Sequence, residues 1–161
     1  MLSFHHLSHR WLSIVALTLA GSVTSWSVVI SPTRAQSPTD FSPQCQTAIQ
    51  ASIAALKGGR SVTVHTNARS LGAGHPANRG QGLLFALDGP ATGAILADGP
   101  LQMAVARRLI QSCGTVGAVT IGRWQSGESN TIGLVNGTVR FFECYEGETP
   151  NPGWGYVRCD L

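Results

Sequence analysis

The sequence predicts an α+β domain: an antiparallel sheet of about five strands, a hairpin plus a three-stranded meander, with two helices on one face. Three observations carry this. Two segments repeat apolar residues at helical spacing: Cys45, Ile49, Ile53 and Leu56, then Leu101, Val105 and Leu109. Asn136 and Gly137 sit between two β-rich runs, the signature of a type I′ hairpin turn. The order helix, strand, strand, helix, then three strands suits a sheet with its helices gathered on the apolar face.

The first helix is expected over 43–57. Ser42 is placed to cap it, Pro43 suits the first helical position, and Gly58 and Gly59 end it. Residues 60–66 read as a strand with Val62 and Val64 on one side, and 67–81 as a loop rich in Gly, Asn and Arg. A second strand over 82–87 aligns Leu83, Phe85 and Leu87, and Asp88, Gly89 and Pro90 stop it. A short helical turn fills 91–97. The second helix opens at Asp98, Gly99 and Pro100 and runs to Ser112, with Gln102, Arg107 and Gln111 as its polar residues and Gly114 beyond its end.

Strands over 116–124, 129–135 and 138–144 form the meander. The two-residue turn sets Val135 opposite Thr138, Leu134 opposite Val139 and Ile132 opposite Phe141. A four-residue loop at 125–128 sets Trp124 opposite Ser129, Ile121 opposite Ile132 and Val119 opposite Leu134. Both turns give the same rows, and a one-residue slip would break both.

The first 35 residues read as a secretory signal peptide. Arg10 ends a short basic region, Leu12–Ile30 carries no charge, and Thr33 and Ala35 suit cleavage before Gln36. Residues 36–42 are then a short leader and 43–161 one disulfide-stapled domain, exported to a periplasmic, lumenal or extracellular space. The competing reading is an uncleaved anchor, because the charge-free run is 19 residues long. Its many Ser, Thr and Gly residues weaken that reading, and no stable membrane anchor is expected after cleavage. Arg10 and Arg34 leave with the signal, so eleven basic residues fall to nine against eight acidic ones. A net charge near +1 provides no general field for nucleic acid.

Four cysteines, Cys45, Cys113, Cys144 and Cys159, in an exported chain favour two disulfides. Cys45 and Cys113 lie on the core stripes of their helices. Cys144 shares the parity of Arg140 and Phe142 on the other sheet face. Cys113 and Cys144 flank opposite ends of the meander, about 20 Å apart at strand rise, too far for a disulfide. The favoured pairing is therefore Cys45–Cys113 with Cys144–Cys159. Cys45–Cys144 with Cys113–Cys159 is the alternative if 154–159 runs back as a strand beside the fifth. No metal site is expected: there is no Cys-x-x-Cys pair, and only His65 and His75 follow the signal.

The far face of the meander is the first candidate surface. Its expected rows are Thr120, Gly133, Arg140; Gly122, Thr131, Phe142; and Trp124, Ser129, Cys144. Glycines between an aromatic and an arginine leave room for a flat partner, and Trp124, Arg140 and Phe142 are the candidate contacts. The bland alternative is a second small core, with the tail and its Tyr145, Trp154 and Tyr156 laid over these aromatics. The 67–81 loop is the second candidate, with Arg69, His75 and Arg79 placed to hold an anion. The run Gly72–Ala77 matches G-x-G-x-x-A only formally: Pro76 interrupts it and no helix follows, so no cofactor is expected.

Helix-end Cys113, the run Val116–Trp124, Gly133–Gly137, Phe141–Cys144 and the Trp154 to Cys159 spacing resemble a group of small exported four-cysteine proteins of cyanobacteria. The resemblance covers most of 43–161. It implies an exported address and carries no catalytic or binding residue, since these proteins have no assigned activity. The expectation is a non-enzymatic binding or envelope-associated domain with a protein or glycan partner. The alternative is a hydrolase-like enzyme using His75 or a carboxylate of Glu143, Glu146 or Glu148.

Overall fold

The computed structural model describes residues 41–146 and 152–159. The expected signal peptide, most of the leader and Glu148 lie outside the described residues. Helix α1 spans Pro43–Lys57 as expected, with the Ser42 hydroxyl accepting from the Cys45 amide and Gly58 closing it in the left-handed region at φ 46°. Strands β1 (Thr63–Ser70) and β2 (Gln81–Asp88) form an antiparallel hairpin. Helix α2 (Thr92–Ala97) and α3 (Gly99–Ser112) follow, and Asp98 caps α3 by accepting from the Leu101 amide at 3.0 Å. Then come β3 (Val116–Arg123), β4 (Ser129–Val135) and β5 (Thr138–Phe141). Two short strands, β6 (Glu143–Tyr145) and β7 (Tyr156–Arg158), make a separate parallel pair.

The main sheet has the order β1-β2-β3-β4-β5. The hairpin and the meander are antiparallel as expected, and they join through a parallel β2–β3 seam. The α2–α3 segment is the crossover that makes this possible, since two parallel neighbours need a long connection. The sheet is therefore mixed and mostly antiparallel.

One face of the sheet packs under the helices. Phe85, Leu83, Leu87, Val119, Ile121 and Ile132 from the sheet meet Leu56, Ile95, Val105, Leu109 and Ile110, all no more than 2% exposed. Gln102, expected on the polar side of its helix, is fully buried here. Its Nε2 donates to the Ile95 and Leu96 carbonyls and its Oε1 accepts from Asn130, which ties α2 and α3 to β4. A buried amide is tolerable only when so partnered.

Three features differ from the sequence reading. The strand expected over 138–144 stops at Phe141 and resumes as β6, which leaves the main sheet to pair with β7, so Cys144 lies beside Val157 rather than in a row with Trp124 and Ser129. Strand β1 starts and ends later than 60–66, because Arg60–Val62 turn off the helix and the alternation continues through Thr66 to buried Ala68. Between β3 and β4 the register is two residues away from the expected one, pairing Val119 with Ile132 and Thr120 with Thr131. The turn closes earlier than expected: the Arg123 amide donates to the Glu128 carbonyl at 2.9 Å and the Arg123 guanidinium pairs with the Glu128 carboxylate. Gln125 then turns at φ 54° and the connection lengthens. A two-residue shift preserves parity, so each side chain keeps its expected face. The β4–β5 register is as expected, with Val135 on Thr138 and Ile132 on Phe141.

Candidate functional site

The far face of the sheet is built from small residues. The aligned row from β1 to β5 reads Arg69, Gly82, Ala118, Gly133 and Arg140, and the next reads Asn67, Leu84, Thr120 and Thr131. A third reads His65, Ala86, Gly122 and Ser129. Most of these side chains are short, yet Gly82, Ala86, Ala118, Thr120, Gly122 and Gly133 are buried, so the exposed part of this face is His65, Asn67, Arg69, Trp124 and Ser129.

Two aromatic groups stand at different places on this face. Trp124 projects beyond the end of β3 and lies on His65, with ring centroids 4.3 Å apart. It is 43% exposed, and it is the one large hydrophobic so exposed among the described residues. Phe142 sits instead over Gly133, where a Cβ would overlap its ring. Trp154 from the tail meets Phe142 edge-on at 5.0 Å and donates from Nε1 to the Leu134 carbonyl at 2.9 Å. The tail thus caps Phe142 and leaves Trp124 open. Arg140 pairs with Glu143 on the surface. The three expected contacts therefore do not form one patch: Phe142 and Arg140 belong to the tail-covered end, and Trp124 to the end beside His65.

The second candidate also divides. Arg69 lies in β1 rather than in a loop, and its Nη2 donates to the Thr120 hydroxyl at 3.0 Å; that hydroxyl lies 3.0 Å from the Thr131 hydroxyl. Arg79 turns inward and donates to the carbonyls of Ile110 at 2.7 Å and Val116 at 2.9 Å. It thereby neutralises the carbonyl end of α3 and pins its loop to the start of β3. His75 lies within 2.9 Å of the Pro76 carbonyl through Nδ1 and meets Trp154 edge-on at 6.3 Å. Arg69 thus faces the open sheet, whereas His75 and Arg79 serve the packing of the 71–80 loop and the tail.

Two clefts open near the β3–β4 connection. One of about 260 Å³ lies between α2 and that connection, lined by Leu96, Glu128 and Asn130 among others. The other, of about 310 Å³, has Ser129 and Thr131 on one side and Cys144, Arg158 and Cys159 on the other. Glu128 lines both and is paired with Arg123 at 2.6 Å. Neither His75 nor Glu143 lines either cleft. No group of three or more His, Cys, Asp or Glu suited to a metal ion occurs among the described residues.

The disulfides are Cys45–Cys113 and Cys144–Cys159, the favoured pairing. Although 156–158 is a strand, it runs parallel to β6, which sets Cys144 beside Val157 and brings Cys159 to it. Two such bonds suit an oxidising, exported compartment. No described helix is long and apolar enough to cross a membrane.

Fold and site together define a small disulfide-stabilised α+β domain with one sealed and one partly open sheet face. Comparison with protein-family models, curated proteins and solved structures finds no match to this chain.

Proposed function

We propose that the chain is an exported, non-enzymatic domain that binds a glycan on the open part of the far sheet face. The observation that carries this is the exposed Trp124 ring braced on His65 beside a floor of small and hydroxyl-bearing residues. An indole presents a rigid apolar plate with a low entropic cost on binding. The residues around it offer polar groups: Asn67 and Ser129 are exposed, Thr131 is half-buried, and Arg69 already reaches over the sheet. A flat plate ringed by hydrogen-bonding groups suits a sugar ring, which has apolar faces and polar edges. Export rests on the N-terminal sequence and on the two disulfides, and it agrees with the resemblance to exported four-cysteine proteins of cyanobacteria.

Titration calorimetry of the oxidised protein against a panel of envelope and extracellular polysaccharides tests this. Binding to at least one is expected, falling at least tenfold in Trp124→Ala and by less in Arg140→Ala. Binding that is equal in wild type and Trp124→Ala sinks the Trp124 face. A partner protein that needs Trp124, with no saccharide bound, sinks the glycan and leaves the face.

A further inference from the structure

The two disulfides sit in opposite surroundings. Cys45–Cys113 joins α1 to α3 with both residues 1% exposed. In the other pair Cys144 is exposed and Cys159 half-buried, and both line the cleft of about 310 Å³ together with Arg158. We propose that Cys144–Cys159 is a redox latch: a thiol-exchange site for a dithiol, whose opening frees the flap formed by β6, β7 and Trp154 while the helix-covered body stays folded.

The exchange is a balanced two-electron step. A thiolate of the dithiol enters the cleft and attacks one sulfur. The Cys144–Cys159 bond breaks, the other sulfur leaves as a thiolate with the electron pair, and a mixed disulfide forms. The second thiol of the reductant gives up its proton and attacks the mixed disulfide, which frees the remaining protein sulfur. The latch gains two electrons and two protons, and the dithiol becomes a disulfide. Arg158 provides positive charge on the same cleft wall, which favours both the incoming and the leaving thiolate. The buried pair lacks access for such an attack.

Opening has a structural consequence because the ribbon that this disulfide closes is small. Strands β6 and β7 are three residues each and pair only with one another. An isolated ribbon of that size has little stability of its own. Its other moorings include the Trp154 indole on Leu134 and Phe142, the His75 ring against Trp154, Gly155 packed on Val135, and the solvated Arg140–Glu143 pair. The body keeps its own crosslink and its closed apolar core. The cleft shares Ser129 and Thr131 with the proposed glycan face, and the test is run without saccharide so that it reads the latch alone.

The test is graded dithiothreitol treatment of the folded protein, quenched by alkylation and mapped by mass spectrometry. Cys144 and Cys159 are expected to be labelled at least tenfold faster than Cys45 and Cys113, with the far-ultraviolet dichroism retained. In that half-reduced state, hydrogen exchange at 143–145 and 156–158 accelerates while β2 and β3 stay protected. The double variant Cys144→Ser, Cys159→Ser reproduces this exchange pattern without reductant. Arg158→Gln slows labelling several-fold and Arg158→Lys restores it. Labelling of all four cysteines in step, or a flap still protected after selective reduction, overturns the latch. An unchanged rate in Arg158→Gln overturns the cleft as the route of entry.

Discussion

The two faces of this sheet are made by the same five strands and are held in different ways. Under the helices, Leu83, Phe85, Leu87, Val119, Ile121 and Ile132 fill the layer by volume, each 1% exposed or less. On the other side the alternate positions are mostly small, with Gly82, Ala86, Ala118, Gly122 and Gly133 beside Leu84 and Thr120, and cover comes from a few groups: Leu71 over Gly82, Phe142 over Gly133, Trp154 and one disulfide. The contrast teaches that side-chain volume, alternating along a strand, decides which face is closed for good. The other face is left to whatever can be fastened onto it.

Six variants sharpen or break this contrast. The largest effect is expected on the sealed side. Phe85→Ala removes a fully buried ring and should cost about 3–5 kcal/mol in urea unfolding. Replacing Cys45 and Cys113 by Ala opens a crosslink of 68 residues and should cost about 4 kcal/mol. The Cys144 and Cys159 counterpart should leave the main transition within about 1 kcal/mol, because the flap opens locally. Equal losses for the two pairs would mean that body and flap unfold as one unit. Gln102→Leu strips partners from the Ile95 and Leu96 carbonyls and from Asn130, and should cost about 1–3 kcal/mol despite the apolar gain. The far face should respond less. Gly133→Ala pushes Phe142 off its seat, and its expected signature is faster hydrogen exchange at 143–145 with the helices unaffected. Trp124→Ala should change stability by no more than about 0.5 kcal/mol, since the ring is exposed. A large loss there would show the Trp124–His65 pair to be structural rather than a docking plate.

Local chemistry was readable in advance, and long-range competition was not. The caps at Ser42 and Asp98 and the turn at Asn136 and Gly137 act within a few residues, so helix ends and the β4–β5 register followed directly. The β3–β4 register did not, because the Arg123–Glu128 closure has no turn signature like Asn136 and Gly137 to mark where the strands separate. The parallel β2–β3 seam is hidden too: alternation gives faces, not strand direction. Gln102 reads as a surface residue until Asn130 and the α2 carbonyls are brought to it. At the candidate site, the glycines were legible as space. What occupies the space over Gly133 is the chain's own Phe142 with Trp154 against it, the tail cover that the sequence offered as the alternative, although spacing did not show that it would stop short of Trp124. The partnership of Trp124 with His65 was missed because their strands are not neighbours; the two rings meet across β2.

The disulfide pattern has a consequence for how the chain matures. Its pairs are consecutive, first cysteine with second and third with fourth. A chain that threads into an oxidising space from its N-terminus presents Cys45 alone, then Cys113, before either remaining thiol arrives. Pairing each newcomer with the nearest waiting thiol yields the native bonds. For a chain exported in that order, emergence alone would select these bonds, without the reshuffling that interleaved patterns require.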